Sequence, residues 1–173
     1  MDVHGHYTPG PANIARIHKK EAQQWTMIVT RELPHPPEKV WQALTDPAHL
    51  REWAPFDADR RLDTEGDTVK LTWAATQAVT EVQVTQAEAP RVLELHNMRW
   101  ELEAHGSGTR LTLWHTIPPR YIAWGAAGWQ ISLDVMDRLL AGTPIGRIAG
   151  PNAMQFEGFQ RLAAEYRKQF DAE

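Results

Sequence analysis

The chain has 173 residues and no cysteine. Disulfide staples, thiolate nucleophiles and cysteine-ligated metals are thereby excluded, and nothing implies an oxidising compartment. Basic residues are in the minority, with 18 Lys and Arg against 22 Asp and Glu and a formal net charge of −4. A nucleic-acid surface would normally be basic, so no nucleic-acid partner is expected, and Lys19-Lys20 is too small a cluster to change that. No apolar run is long enough to span a bilayer, and no membrane span is expected. The first residues, Met1-Asp2-Val3-His4-Gly5-His6-Tyr7, lack the basic start and apolar run of a secretory signal, so the expected location is cytoplasmic.

Tyrosine and phenylalanine are scarce, at 3 and 4, whereas tryptophan occurs 8 times. Large rigid rings either fill a core or wall a pocket. Core packing accounts for any one of them; eight together favour some lining a cavity. The length fits one domain with a core that needs no staples.

Residues 1–23 have little periodicity and read as a loose N-terminal arm, with Ile14 and Ile17 as its anchors. Trp25 to Arg31 is β-rich and reads as a first strand. Pro37 then suits the first position of a helix whose Val40, Trp41 and Leu44 share a face. Asp46 before Pro47 caps a second short helix, Ala48 to Trp53. From Asp57 the period changes to two. Strands are expected over 57–62, 69–73, 76–88, 92–96, 99–104 and 109–116, joined by tight turns as an antiparallel meander. Tyr121 to Ala141 is the longest helical candidate, with Trp129, Leu133, Met136 and Leu140 on one stripe and Asp134, Asp137 and Arg138 on a wet side. A last helix over about 152–170 carries Phe156, Phe159, Ala163, Tyr166 and Phe170 on one stripe.

Three ordered segments, Pro36 to Pro47, Gly108 to Thr116 and Gly128 to Asp134, resemble the START-like helix-grip superfamily. That superfamily, SRPBCC, is also called the polyketide cyclase/dehydrase and lipid-transport superfamily. Within it the chain is most similar to bacterial homologues of the domain that activates the Hsp-ninety chaperone ATPase. The resemblance covers roughly residues 25–141. It implies an α+β fold in which a curved antiparallel sheet of six to seven strands wraps a long C-terminal helix, with two short helices after the first strand. Residues 24–173 then form a single START-like domain, with the helix over 152–170 as an addition. A cavity between sheet and long helix is also implied, but no reaction, since the superfamily has no invariant catalytic motif.

Direct search for chemistry finds little. His4 and His6 are two apart without an evident third ligand, and no His-Glu-x-x-His helix occurs, so no metal site is expected. Alternation puts His115 on the face of Leu111 and Leu113, and His96 opposite the face of Leu93 and Leu95. Ser107 and Ser132 lack a poised nucleophile context. Glu101 and Glu103 sit on a wet face, and no cofactor-binding loop is present. His115 remains as a polar anchor inside an apolar space, with a satisfied core histidine as the plain alternative. The candidate ligand-binding residues are Trp53, Phe56, Trp73, Trp100, His115, Tyr121, Trp129 and Leu133. Tyr121 and Trp124, after the Pro118-Pro119 break, are candidate lid residues, and Arg31 and Arg120 are cations that suit a carboxylate partner.

Three functions follow as expectations. The first is a non-enzymatic carrier or sensor that binds a small hydrophobic or aromatic molecule. The second is a cyclase- or hydrolase-like enzyme that uses His115 and pocket water. The third is a chaperone-binding interaction module. The stripe of the last helix also fits a homodimer seam.

Overall fold

The computed structural model describes residues 7–19 and 23–172. Eight strands form one antiparallel sheet: β1 Ala15–Lys19, β2 Trp25–Leu33, β3 Phe56–Ala58, β4 Thr68–Trp73, β5 Val79–Glu88, β6 Val92–Leu95, β7 Met98–His105 and β8 Gly108–Ile117. Their spatial order is β1-β2-β8-β7-β6-β5-β4-β3. The helices are α1 Pro37–Thr45, α2 Pro47–Trp53, α3 Ile122–Leu140, α4 Pro151–Met154 and α5 Glu157–Asp171. Sheet and long helix form the helix grip, with one strand more than the sequence suggested.

That extra strand is β1. It lies in the segment expected to be a loose arm, and pairs Ala15 with Val29 and Lys19 with Trp25 along the edge of β2. Upstream of it, Tyr7 and Ala12 are buried. The hydroxyl of Tyr166 accepts a hydrogen bond from the backbone N–H of Ile14 at 3.2 Å, and Gln130 Nε2 donates to the carbonyl of Pro11 at 3.0 Å. Upstream of β1 the side-chain partners, such as Asp134 and Tyr166, lie more than a hundred residues away, so local pattern carries no trace of them. His4 and His6 lie outside the described residues.

The two short helices arise as the sequence implies. Pro37 opens α1, and the side chain of Asp46 accepts from the backbone N–H of Ala48 at 2.9 Å to cap α2. Strict alternation turns Met27 and Val29, Leu111, Leu113 and His115, and Met98, Trp100 and Leu102 toward the interior. The strand expected over 57–62 is shorter, at Phe56–Ala58, and the one expected over 76–88 begins at Val79.

The long helix has no wet side along its middle. Gln130, Ser132 and Val135 are buried along with the expected stripe, because the sheet covers one flank while α5 and the N-terminal segment cover the other. Asp134 and Asp137 accordingly meet partners: Asp134 pairs with Arg31 and accepts from the Tyr7 hydroxyl, and Asp137 Oδ1 lies 2.7 Å from His35 Nε2. Burial, then the Asp134 charge, pushes the Tyr7 phenol up, so it stays protonated and donates. The expected last helix is broken at Phe156, whose extended backbone caps α5 and whose ring stacks on Tyr7 at 5.8 Å. Phe159, Ala163, Tyr166 and Phe170 are buried within the chain itself. The seam that the sequence offered for a homodimer is thus already used. No helix among the described residues is long and apolar enough to cross a membrane.

Candidate functional site

Inside the grip, three tryptophans form a cluster. Trp100 meets Trp129 edge-on at 5.1 Å, and Trp53 packs against Trp100 at 6.3 Å and Trp129 at 6.4 Å. Trp53 is further fixed by its indole N–H, which donates to the Ala43 carbonyl at 2.8 Å. These rings fill one end of the space between sheet and helix. The other end is open, a cleft of about 710 Å³ within the range of small-molecule sites.

Several separate segments wall the cleft, those of Pro55, Ala75 and Thr76 among them. The inner ends of β4 and β8 supply Trp73, His115 and Ile117; α3 and the turn before it supply Tyr121, Trp124, Gly125, Gly128, Trp129 and Ser132. A strap after α3 adds Ile148 to Pro151, and α4 with the start of α5 closes the far side through Ala153, Met154 and Phe159. No lining side chain carries a charge at neutral pH, given the low pKa of His115. At the mouth, Tyr121 is 53% and Met154 49% exposed, large apolar groups left in water on both sides of the opening.

Two glycines explain why room remains. A Cβ on Gly128 would meet nothing within 4 Å, so the helix faces empty space there. Gly150 has φ +63°, and a Cβ on it would lie 2.5 Å from the Ala74 carbonyl oxygen. Only glycine lets the strap run this close to the end of β4.

His115 is 8% exposed and is the polar centre of this wall. The Trp129 indole N–H donates to its Nδ1 at 3.0 Å. Burial, then the neighbouring His96, pushes its pKa down to about 4, so the ring is neutral near pH 7. His96 itself is exposed, in a turn with φ +56°, and does not share the interior with His115. Ser132, one turn beyond Trp129, brings a hydroxyl to the same wall.

Of the residues singled out from the sequence, Trp73, His115, Tyr121 and Trp129 line the cleft. Trp53, Phe56, Trp100 and Leu133 do not. Trp53 and Trp100 are consumed by the tryptophan cluster, Phe56 packs against Trp73 at 5.2 Å, and Leu133 is wholly buried in the core. Period turned the strand and helix residues inward and the Pro118-Pro119 break offered Tyr121 as a lid, but neither says which end of the interior is filled. Trp124 lines the cleft as well, with its ring 5.4 Å from that of Phe159, so it belongs to the wall joining α3 to α5. Arg31 does find its carboxylate, whereas Arg120 lies over the Tyr121 ring at 4.7 Å. Sequence reasoning missed Gly128, Ser132 and the strap; a glycine inside a strong helix was the available signal. Among the described residues no group of three His, Asp or Glu side chains is placed to hold a metal ion.

The family model described as Activator of Hsp90 ATPase homolog 1-like protein matches residues 34–141. The chain belongs to that family. Solved structures share its fold across most of the chain. CalU16 from Micromonospora echinospora is 20% identical, with a TM-score of 0.64, covering 91% of this chain and 94% of that one. EF2215 from Enterococcus faecalis, a conserved protein of unknown function, is 16% identical with a TM-score of 0.65 and 91% coverage of each chain. DynU16, from the dynemicin biosynthetic locus, is 21% identical with a TM-score of 0.60, covering 72% of this chain and 50% of that one. No curated protein matches the chain. The family match includes His115, Trp129 and Ser132 but ends before the strap and α4. Part of the cleft wall therefore lies beyond the segment that defines the family.

Proposed function

We propose that this member of the Activator of Hsp90 ATPase homolog 1-like family binds a small, neutral, apolar or aromatic molecule in the cleft between β8, α3 and α4, as a carrier or sensor. The observation that carries this reading is the cleft itself: about 710 Å³, walled by aromatic and aliphatic groups, with no charged side chain. A well-formed apolar pocket with few polar groups is where a ligand gains most from leaving water. The lining offers a buried carboxylate no cation, Arg120 lying over the Tyr121 ring outside it, so the charge would carry a large desolvation cost and neutral molecules are favoured over fatty acids.

The enzyme alternative relies on His115 as a base for pocket water. Its Nδ1 is taken up by the Trp129 N–H, and a neutral imidazole then carries its proton on Nε2, with no lone pair facing the cleft. This argues for binding over general-base chemistry. Among the described residues no feature favours the chaperone in the family's name over a small molecule.

Intrinsic fluorescence tests the reading, because Trp73, Trp124 and Trp129 all line the cleft. Titration with the neutral tricycle fluorene is expected to give a saturable change, and decanoate a much weaker one. The absence of a saturable response to any neutral aromatic or aliphatic compound would contradict it.

A further inference from the structure

We infer that the cleft is built to select a ligand bearing a carbonyl oxygen, which accepts a hydrogen bond from Nε2–H of His115, and that Trp129 is the positioning residue that keeps the proton on that nitrogen. This rests on the binding function proposed above and adds the chemical class of the ligand.

An indole nitrogen only donates. Because the Trp129 N–H points at Nδ1 at 3.0 Å, Nδ1 must be the acceptor and Nε2 the protonated nitrogen. That second nitrogen has no hydrogen-bond partner among the described residues, although the ring is more than nine-tenths buried and lies on the cleft wall. A pure hydrocarbon filling the cleft would strip water from the donor and leave it unpaired. A carbonyl oxygen at the same place satisfies it. Charge is not required, since the ring is neutral at physiological pH and no lining side chain is ionised there. Ser132 lines the same cleft and offers its hydroxyl as a second polar contact to the ligand. His115 thus acts as a fixed donor, and its tautomer is set by a residue that is itself part of the wall.

Equilibrium dialysis of the full chain against 9-fluorenone, fluorene and fluorene-9-carboxylate tests this. The two neutral tricycles differ at one position, and their affinity ratio is compared between wild type, His115→Phe and Trp129→Phe. The preference for fluorenone over fluorene is expected to fall about threefold to tenfold in His115→Phe, the worth of one neutral hydrogen bond. It is expected to narrow in Trp129→Phe, where the freed ring samples both tautomers. The carboxylate is expected to bind weakest to wild type. A ratio unchanged in His115→Phe overturns the inference while leaving apolar binding intact. Failure of both neutral compounds to bind overturns the binding reading as well. Should either variant fold poorly, ¹⁵N-histidine NMR of the wild type decides. Fluorenone should shift the protonated Nε2 resonance of His115 and fluorene should not; equal shifts, or none with fluorenone, overturn it.

Discussion

Gly128 is the residue on which the cleft depends most directly. Glycine inside a helix costs about 1 kcal/mol relative to alanine, yet α3 carries it at a point where a side chain would meet only empty space. Gly128→Ala is therefore expected to raise stability by about 0.5–1 kcal/mol in urea unfolding, whereas Gly128→Leu should fill the cleft and remove binding without unfolding the protein. His115 makes a second prediction. Its pKa falls from an ordinary 6.5 to about 4 on folding, so between those values the unfolded chain binds more protons than the folded one. Its contribution is fully present above pH 6.5 and is lost as pH falls toward 4, by up to about 3 kcal/mol at the acid end. Urea midpoints measured from pH 7.5 down to pH 4.5 should decline less steeply in His115→Phe than in wild type. The inward turn of His115 was legible in the alternation of β8. Its tautomer was not, since Trp129 reaches it from another element.

Among the elements, the strap between α3 and α4 decides the shape of the opening. It holds little regular structure, and its path past Ala74 rests on the left-handed Gly150. Gly150→Ala combines an unfavourable φ with a collision against backbone, and is expected to cost roughly 1–3 kcal/mol in thermal unfolding. It should also weaken ligand binding, because Ile148 to Pro151 are wall residues. The sequence shows α1, α2, α3 and most strands plainly, each from its own period and caps. It misleads at α5, where Phe156 continues the spacing of Phe159 and Ala163 and so reads as helix. Stacking on Tyr7 draws Phe156 out of the helix instead, a tertiary contact that no local pattern records.

At the scale of the whole molecule, the grip is closed from behind by the segment expected to be loose. Residues 7–14 cross α3 and α5, where Gln130, Asp134 and Tyr166 take their partners from it. Removal of residues 1–14 takes one partner from each of these groups, while Asp134 keeps Arg31 and Tyr166 keeps Gln130, at about 0.5–1.5 kcal/mol for each hydrogen bond lost. A marked drop in Tm is expected, with ligand binding retained at low temperature, because none of these residues lines the cleft. Loss of binding without loss of Tm would reverse that account. The cleft itself was legible only in outline: inward rings and a gripped helix imply a space, but which rings fill it depends on packing between several separate segments. The measurement that tests the central claim most directly is equilibrium dialysis of fluorene against wild type and Gly128→Leu. Saturable binding to wild type that is abolished in the variant, with both chains folded, is the predicted result. Equal binding to both, or none to wild type, would contradict it.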